Sequence, residues 1–137
     1  MNKIFVLSEE NTKSLLEMEE VIETVENVYK EKSLGSGKVF PLVFHEFERA
    51  VADMDIKSGT LDAMGVYGLK LVSWFGENQK KNIPALSGSV MIFDRETGLP
   101  LGLINAEHMT GMRTGAAGAI GAKALARKDS EVMLMVG

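Results

Sequence analysis

Apolar residues recur along this chain with two different periods, and each change of period marks a new element. Lys3 to Leu7 is a short run of β type. Ser8 follows as an N-cap, its hydroxyl able to accept from the orphan N–H groups of the Glu-rich stretch beyond it. From about Met18 to Ser33, Val21, Val25, Val28 and Tyr29 return at helical spacing, which predicts an amphipathic helix with its charged face in solvent. Glu17, Glu19 and Glu20 stand early, Lys30 and Lys32 late, and Gly35 lies just beyond as a C-cap, so both ends complement the helix dipole. Gly35-Ser36-Gly37 then reads as a turn.

After Pro41 the period shortens. Leu42 to Phe47 and Val51 to Ile56 alternate roughly and predict an antiparallel pair, with turn chemistry in Lys57-Ser58-Gly59. Val66 to Phe75 is the strongest β segment, interrupted by Lys70. A lysine there either snorkels to solvent or meets an anion, because burying it unpaired is costly. Gly76 to Asn82 is a polar loop, long for a hairpin, and either a lid or plain surface. Pro84 leads into Ser87 to Phe93, Asp94 to Gly98 turns the chain, and Leu99 to Asn105 returns as the second arm of a hairpin. The pattern predicts an α+β domain: an N-terminal strand and helices, a mainly antiparallel sheet from about residue 40 to 106, then a Gly/Ala helix.

That last helix carries the candidate chemistry. Thr110, Arg113 and Thr114 precede Gly115-Ala116-Ala117-Gly118-Ala119-Ile120-Gly121, placing one guanidinium and two hydroxyls where a helix running to about Arg127 is expected to begin. Free N–H groups and the positive dipole end favour anions there, and Arg113 can grip a carboxylate with two parallel bonds. The smooth Gly/Ala surface admits a flat ligand or another backbone, although such helices also occur wherever two elements pack tightly. Beyond it, Glu131 to Val136 is an apolar run of buried-strand type closed by Gly137. A strand ending in glycine begins many dinucleotide-binding βαβ units, and many other folds as well.

Composition narrows the partners. The 137 residues carry a net charge of −4 and no long Lys/Arg run, against a nucleic-acid surface or a polybasic membrane patch. Cysteine is absent, which fits a reducing compartment and excludes thiolate chemistry. The first apolar run is too short for a signal peptide, so a cytoplasmic protein is expected. His45 and His108 lie far apart without ligand spacing, and no metal site is expected. The nine methionines fall mostly in or beside apolar strands, as core fillers.

Taken in order, Lys70-Leu-Val-Ser-Trp-Phe, Glu77-Asn78, Ile83-Pro84-Ala85-Leu86, Asp94-Arg-Glu-Thr-Gly98-Leu-Pro-Leu, Arg113-Thr114 and Leu125-Ala-Arg127 resemble the ornithine cyclodeaminase/mu-crystallin family. The resemblance covers nearly all of residues 50 to 137, and Met54 to Gly59 is similar to several cyclodeaminase-like members. It implies a substrate-binding and dimerisation domain over residues 1–113, and the start of a Rossmann domain for NAD or NADP over 114–137. It further implies that Lys70 and Arg113 bind the substrate carboxylate, and that Thr114 and Gly137 lie on the cofactor side. Two departures stand out. The arginine many members carry shortly after the proline matching Pro41 is missing, leaving His45 or Lys57 as substitutes, and Ile83-Pro84-Ala85 lacks the hydroxyl of the usual Leu-Pro-Thr.

Two functions from different classes follow. One is the N-terminal part of a nicotinamide-dependent enzyme, converting ornithine to proline and ammonia or acting as a related amino-acid dehydrogenase or imine reductase, and working as a homodimer on a small amino or imino acid. The other is an inactive truncated substrate-domain dimer or small-molecule binding module. The 137-residue chain alone is expected neither to bind the cofactor nor to turn over, since the family's fingerprint and its acid/base aspartate would lie past Gly137.

Overall fold

Two ten-residue strands form where the β pattern is densest in the computed structural model, which describes residues 3–136. They are β4 (Ala52–Leu61) and β5 (Val66–Phe75), antiparallel partners along their whole length. On the far side of β5 lies β6 (Leu86–Asp94), then β7 (Pro100–Asn105), then β1 (Phe5–Leu7), which joins β7 as the one parallel pair. The outer edge of β4 is shared between β2 (Gly37–Val39) and β3 (Val43–Glu48). The result is a seven-stranded, mainly antiparallel sheet with α1 (Glu9–Leu15), α2 (Met18–Leu34) and α3 (Glu107–Leu125) packed on one another and against it.

Local chemistry accounts for the ends. Ser8 and Asn11 form a reciprocal capping box at α1. Gly35 closes α2 with φ 89°, a left-handed conformation glycine adopts without a Cβ penalty. In the β6–β7 turn, Gly98 at φ 73° serves the same purpose, while Asp94 accepts from the Thr97 N–H and hydroxyl. Lys123 on α3 reaches Glu26 on α2 at 2.9 Å and ties the two helices together.

Several expectations are corrected. Lys57-Ser58-Gly59 is no turn: β4 runs through it to Leu61, and the reversal is the 3-10 turn Asp62–Met64 ending at Gly65. Glycine is needed at 59 because a Cβ there would stand 2.5 Å from the Lys38 carbonyl oxygen of β2. Gly37 belongs to that extra strand, β2, rather than to a free turn. Gly76 to Lys81 is a short 3-10 helix, not an open loop. Glu131 to Val136 forms no strand among the described residues; it has no ladder partner to satisfy its N–H and C=O groups, and Val132, Leu134 and Val136 are exposed. Gly137 lies outside the described residues.

Strand alternation divides the sheet into two unlike faces. Lys57 and Leu61 on β4, Lys70 and Val72 on β5, and Val90 and Ile92 on β6 share the face under the helices. Met54 and Ile56, Leu69 and Leu71, Met91 and Leu103 share the other, an apolar patch flanked by Ser58, Ser73, Ser87 and Ser89 that the three helices leave bare. Among the described residues only Thr12, Ala52, Gly88, Gly102, Ala106 and Ala116 are buried. No described helix is long and apolar enough to cross a membrane.

Candidate functional site

Lys70 sits on the central strand β5, on the helix-covered face, so it neither lies at an edge nor points into bulk solvent. The joint between β7 and α3 brings the helix over it. Ala106 is fully buried, its N–H donates to the Gly88 carbonyl at 2.9 Å, and a Cβ on Gly88 would press to 3.3 Å from that of Ala106. With the joint pinned, Thr110 comes down on Lys70, its hydroxyl 3.5 Å from Nζ, the outer limit of a hydrogen bond.

The expected placement of Arg113 at a helix N-terminus is incorrect. α3 begins at Glu107, whose N–H donates to the Asn105 side chain at 3.0 Å, so capping occurs one turn and more before Thr110. Thr110, Arg113 and Thr114 are all interior to the helix, where the backbone N–H groups are spent on i−4 carbonyls. Whatever anion affinity the site has comes from side chains.

Those side chains are concentrated. Lys57, Lys70, Met109, Thr110 and Arg113 line a cavity of about 310 Å³. Lys57 stands directly across the ladder from Lys70 and is held by Asp55 at 2.6 Å, whereas neither Lys70 nor Arg113 has an acidic partner among the described residues. Burial, followed by the charges of Arg113 and Lys57, holds the Lys70 ammonium below the usual lysine range, with Asp55 opposing. Lys57 and Lys70 also border a larger, mostly apolar cavity of about 750 Å³ between α2 and the sheet, walled by Val28, Val39, Leu61 and Ile92.

The residues expected from the sequence therefore separate. Lys70 and Arg113 converge. Of the two substitutes for the missing arginine, Lys57 joins them, while His45 is turned onto the opposite face, its ring 4.9 Å from Phe47. Asp55 escaped notice in the sequence, although lying two positions before Lys57 on a strand puts it on the same face. Thr114 donates to the Thr110 carbonyl at 2.7 Å and is exposed. It shares a helix stripe with Gly111, Gly118 and Gly121, at each of which a Cβ would meet nothing within 4 Å. The stripe is thus open rather than packed against this chain. No cluster of metal-binding side chains occurs among the described residues.

A seven-stranded sheet with helices packed on one face places the protein in the mixed α/β class. More narrowly, the chain belongs to the ornithine cyclodeaminase/mu-crystallin family, whose model matches residues 2–137. It is 36% identical over 132 residues to an alanine dehydrogenase of Archaeoglobus fulgidus, covering 96% of this chain and 40% of that protein. A solved archaeal alanine dehydrogenase dimer with bound NAD superposes with a TM-score of 0.87 at 37% identity, over 93% of this chain and 38% of that one. The Δ(1)-pyrroline-2-carboxylate reductase of Thermococcus litoralis, solved with NADH and L-proline, gives 0.87 at 36% identity over 93% and 40%. The chain spans about two fifths of the length of these relatives.

Proposed function

We propose that this chain is the substrate-binding part of a nicotinamide-dependent oxidoreductase acting on a small 2-amino or 2-imino acid. The observation that carries the reading is the pair Lys70 and Arg113, two cations without acidic partners on one small cavity wall. A substrate carboxylate would satisfy both, Arg113 with its planar fork and Lys70 as a point charge relieved of an unpaired, partly desolvated state. Thr110, beside Lys70, offers a hydroxyl to the same ligand.

The names of the relatives support NAD, and the open stripe of α3 carrying Thr114 and three glycines fits a flat dinucleotide lying against it. The nicotinamide would exchange a hydride with the substrate carbon next to the carboxylate. This chain's own residues fix that carbon by holding the carboxylate, orient it towards α3, and set the charge of the cavity. On this reading residues 114–137 open the cofactor domain. Ornithine cyclodeamination is the narrower form, and the alanine dehydrogenase and pyrroline-carboxylate reductase relatives favour simple dehydrogenation or reduction over it. We place the protein in the cytoplasm, on its lack of cysteine, as a homodimer joined through the bare sheet face.

Arg113→Lys tests the assignment on the whole protein. It keeps the charge and loses the fork, so kcat/KM with NADH and the imino acid should fall about ten- to a hundred-fold, the equivalent of one charge-assisted hydrogen bond of roughly 1.5 to 3 kcal/mol. A lowered melting temperature with unchanged kcat/KM per folded molecule would show a structural arginine and sink the clamp.

A further inference from the structure

Two lysines stand directly opposite each other on adjacent strands of this site. In such a pair the Cβ atoms are about 4.5–5.5 Å apart, and like charges at that distance destabilise the sheet unless anions separate them. For Lys57 the anion at hand is Asp55, but the hold is one-sided: Oδ2 takes the ammonium at 2.6 Å, and Oδ1 is inaccessible and unpartnered. The Lys57 side chain remains more than half exposed, on the wall of the same cavity as Lys70 and Arg113. The four groups Asp55, Lys57, Lys70 and Arg113 sum to two positive charges.

A single substrate carboxylate neutralises one of these. An ammonium on the substrate side chain would bring a further cation to a wall that already holds three. A second carboxylate completes the balance for a neutral imino diacid and offsets the substrate's own ammonium for an amino diacid, and in an extended four-carbon diacid the two carboxyl carbons are on the order of 4 Å apart, commensurate with the spacing of the lysine pair. We infer that Lys57 is a specificity-determining residue that binds a second carboxylate, so that the preferred substrate is a small 2-amino or 2-imino dicarboxylic acid. This step rests on the carboxylate clamp of Lys70 and Arg113.

Unreactive 2-hydroxy acids probe it by calorimetric titration of the chain at low ionic strength, where charge contacts are least screened. L-malate is expected to bind about tenfold or more tightly than L-lactate, the ratio that one added charge-assisted contact produces. Lys57→Met should collapse the malate-to-lactate ratio towards one, and Lys57→Arg should restore most of it. L-ornithine should bind more weakly than L-alanine to the wild type, and that order should narrow in Lys57→Met. Equal wild-type affinities for malate and lactate, or a ratio untouched by Lys57→Met, would overturn the role of Lys57 and leave the clamp standing. If neither acid binds the wild type, the clamp fails and this inference with it.

Discussion

Replacing Leu71 by Asp should dissociate the protein into monomers. Leu71 lies at the middle of the bare face, flanked across the ladder by Ile56 and Ser89, and it keeps 36% of its surface accessible although it is on a central strand. The whole chain exposes 10187 Å², against about 7,000 Å² for a compact monomer of 14.9 kDa. Part of the excess is the extended tail, but a standard interface needs only about 800 Å² per partner, and the uncovered sheet face is its most continuous apolar source. Burying the rest of one leucine is worth roughly 0.5–1 kcal/mol, and desolvating an unpaired polar group in its place costs roughly 2–3 kcal/mol more. A two-fold axis repeats the change, giving about 5–8 kcal/mol and a dimer dissociation constant raised more than about a thousandfold. Sedimentation velocity at micromolar protein reads this directly, with circular dichroism confirming that the exposed substitution leaves the fold intact. A wild type that sediments as a clean monomer, or a folded Leu71→Asp protein that associates as the wild type does, would refute the interface.

Gly68→Ala should lower the melting temperature, because its Cβ would stand 2.6 Å from the Met91 carbonyl oxygen; the cost is about 1–3 kcal/mol, and an unchanged melt would contradict the β5–β6 register. Lys70 has a folded pKa below its ordinary 10.5, so the unfolded chain binds the proton more tightly and the charged lysine weakens the fold at neutral pH. Wild-type stability should therefore rise relative to Lys70→Met as pH climbs through the lowered value towards 10.5, and urea titrations from pH 7 upward showing the opposite slope would remove the desolvation argument. The 137-residue chain should show no saturable change in NADH fluorescence at micromolar cofactor, since it supplies Thr114 and few other groups on the cofactor side; saturable binding would refute this by showing that the stripe of α3 holds the cofactor unaided.

Elements whose causes are local were legible. Val66–Phe75 has the same limits in the sequence pattern and in β5, Gly35 caps α2, and the hairpin turns at Asp94 to Gly98 because both its carboxylate and its glycine act within five residues. Elements whose causes are distant were not. Gly59 looked like a turn because its real partner, the Lys38 carbonyl, lies on another strand. The start of α3 was placed too late because Ala106 offers no cap, and the group that does the work, Asn105, sits one residue earlier with its carbonyl already at the end of β7. Glu131 to Val136 has a strand's composition, but composition supplies no neighbour to pair with.

The site shows the same division more sharply. Period-two alternation puts Asp55 and Lys57 on one face of β4, yet nothing in that stretch says that Lys70 stands opposite; that depends on the register of β4 against β5. The register is set where the strands meet, at Leu61 and Val66, by the turn through Asp62 and Gly65, with Gly65 at φ 65°. A residue with a Cβ is strained at that angle, and a turn relaxed by one residue would slip every rung above it. Lys57 would then fall on the apolar face beside the positions now held by Ile56 and Leu71, and an apolar side chain would take its place under the helices. On the proposed reading both results are penalised, the first by an unpaired ammonium on the face proposed to be buried between protomers and the second by loss of a cation from the proposed anion site. The cationic cavity and the bare apolar face are therefore consequences of one register, so a substitution at Gly65 should disturb anion binding and self-association together.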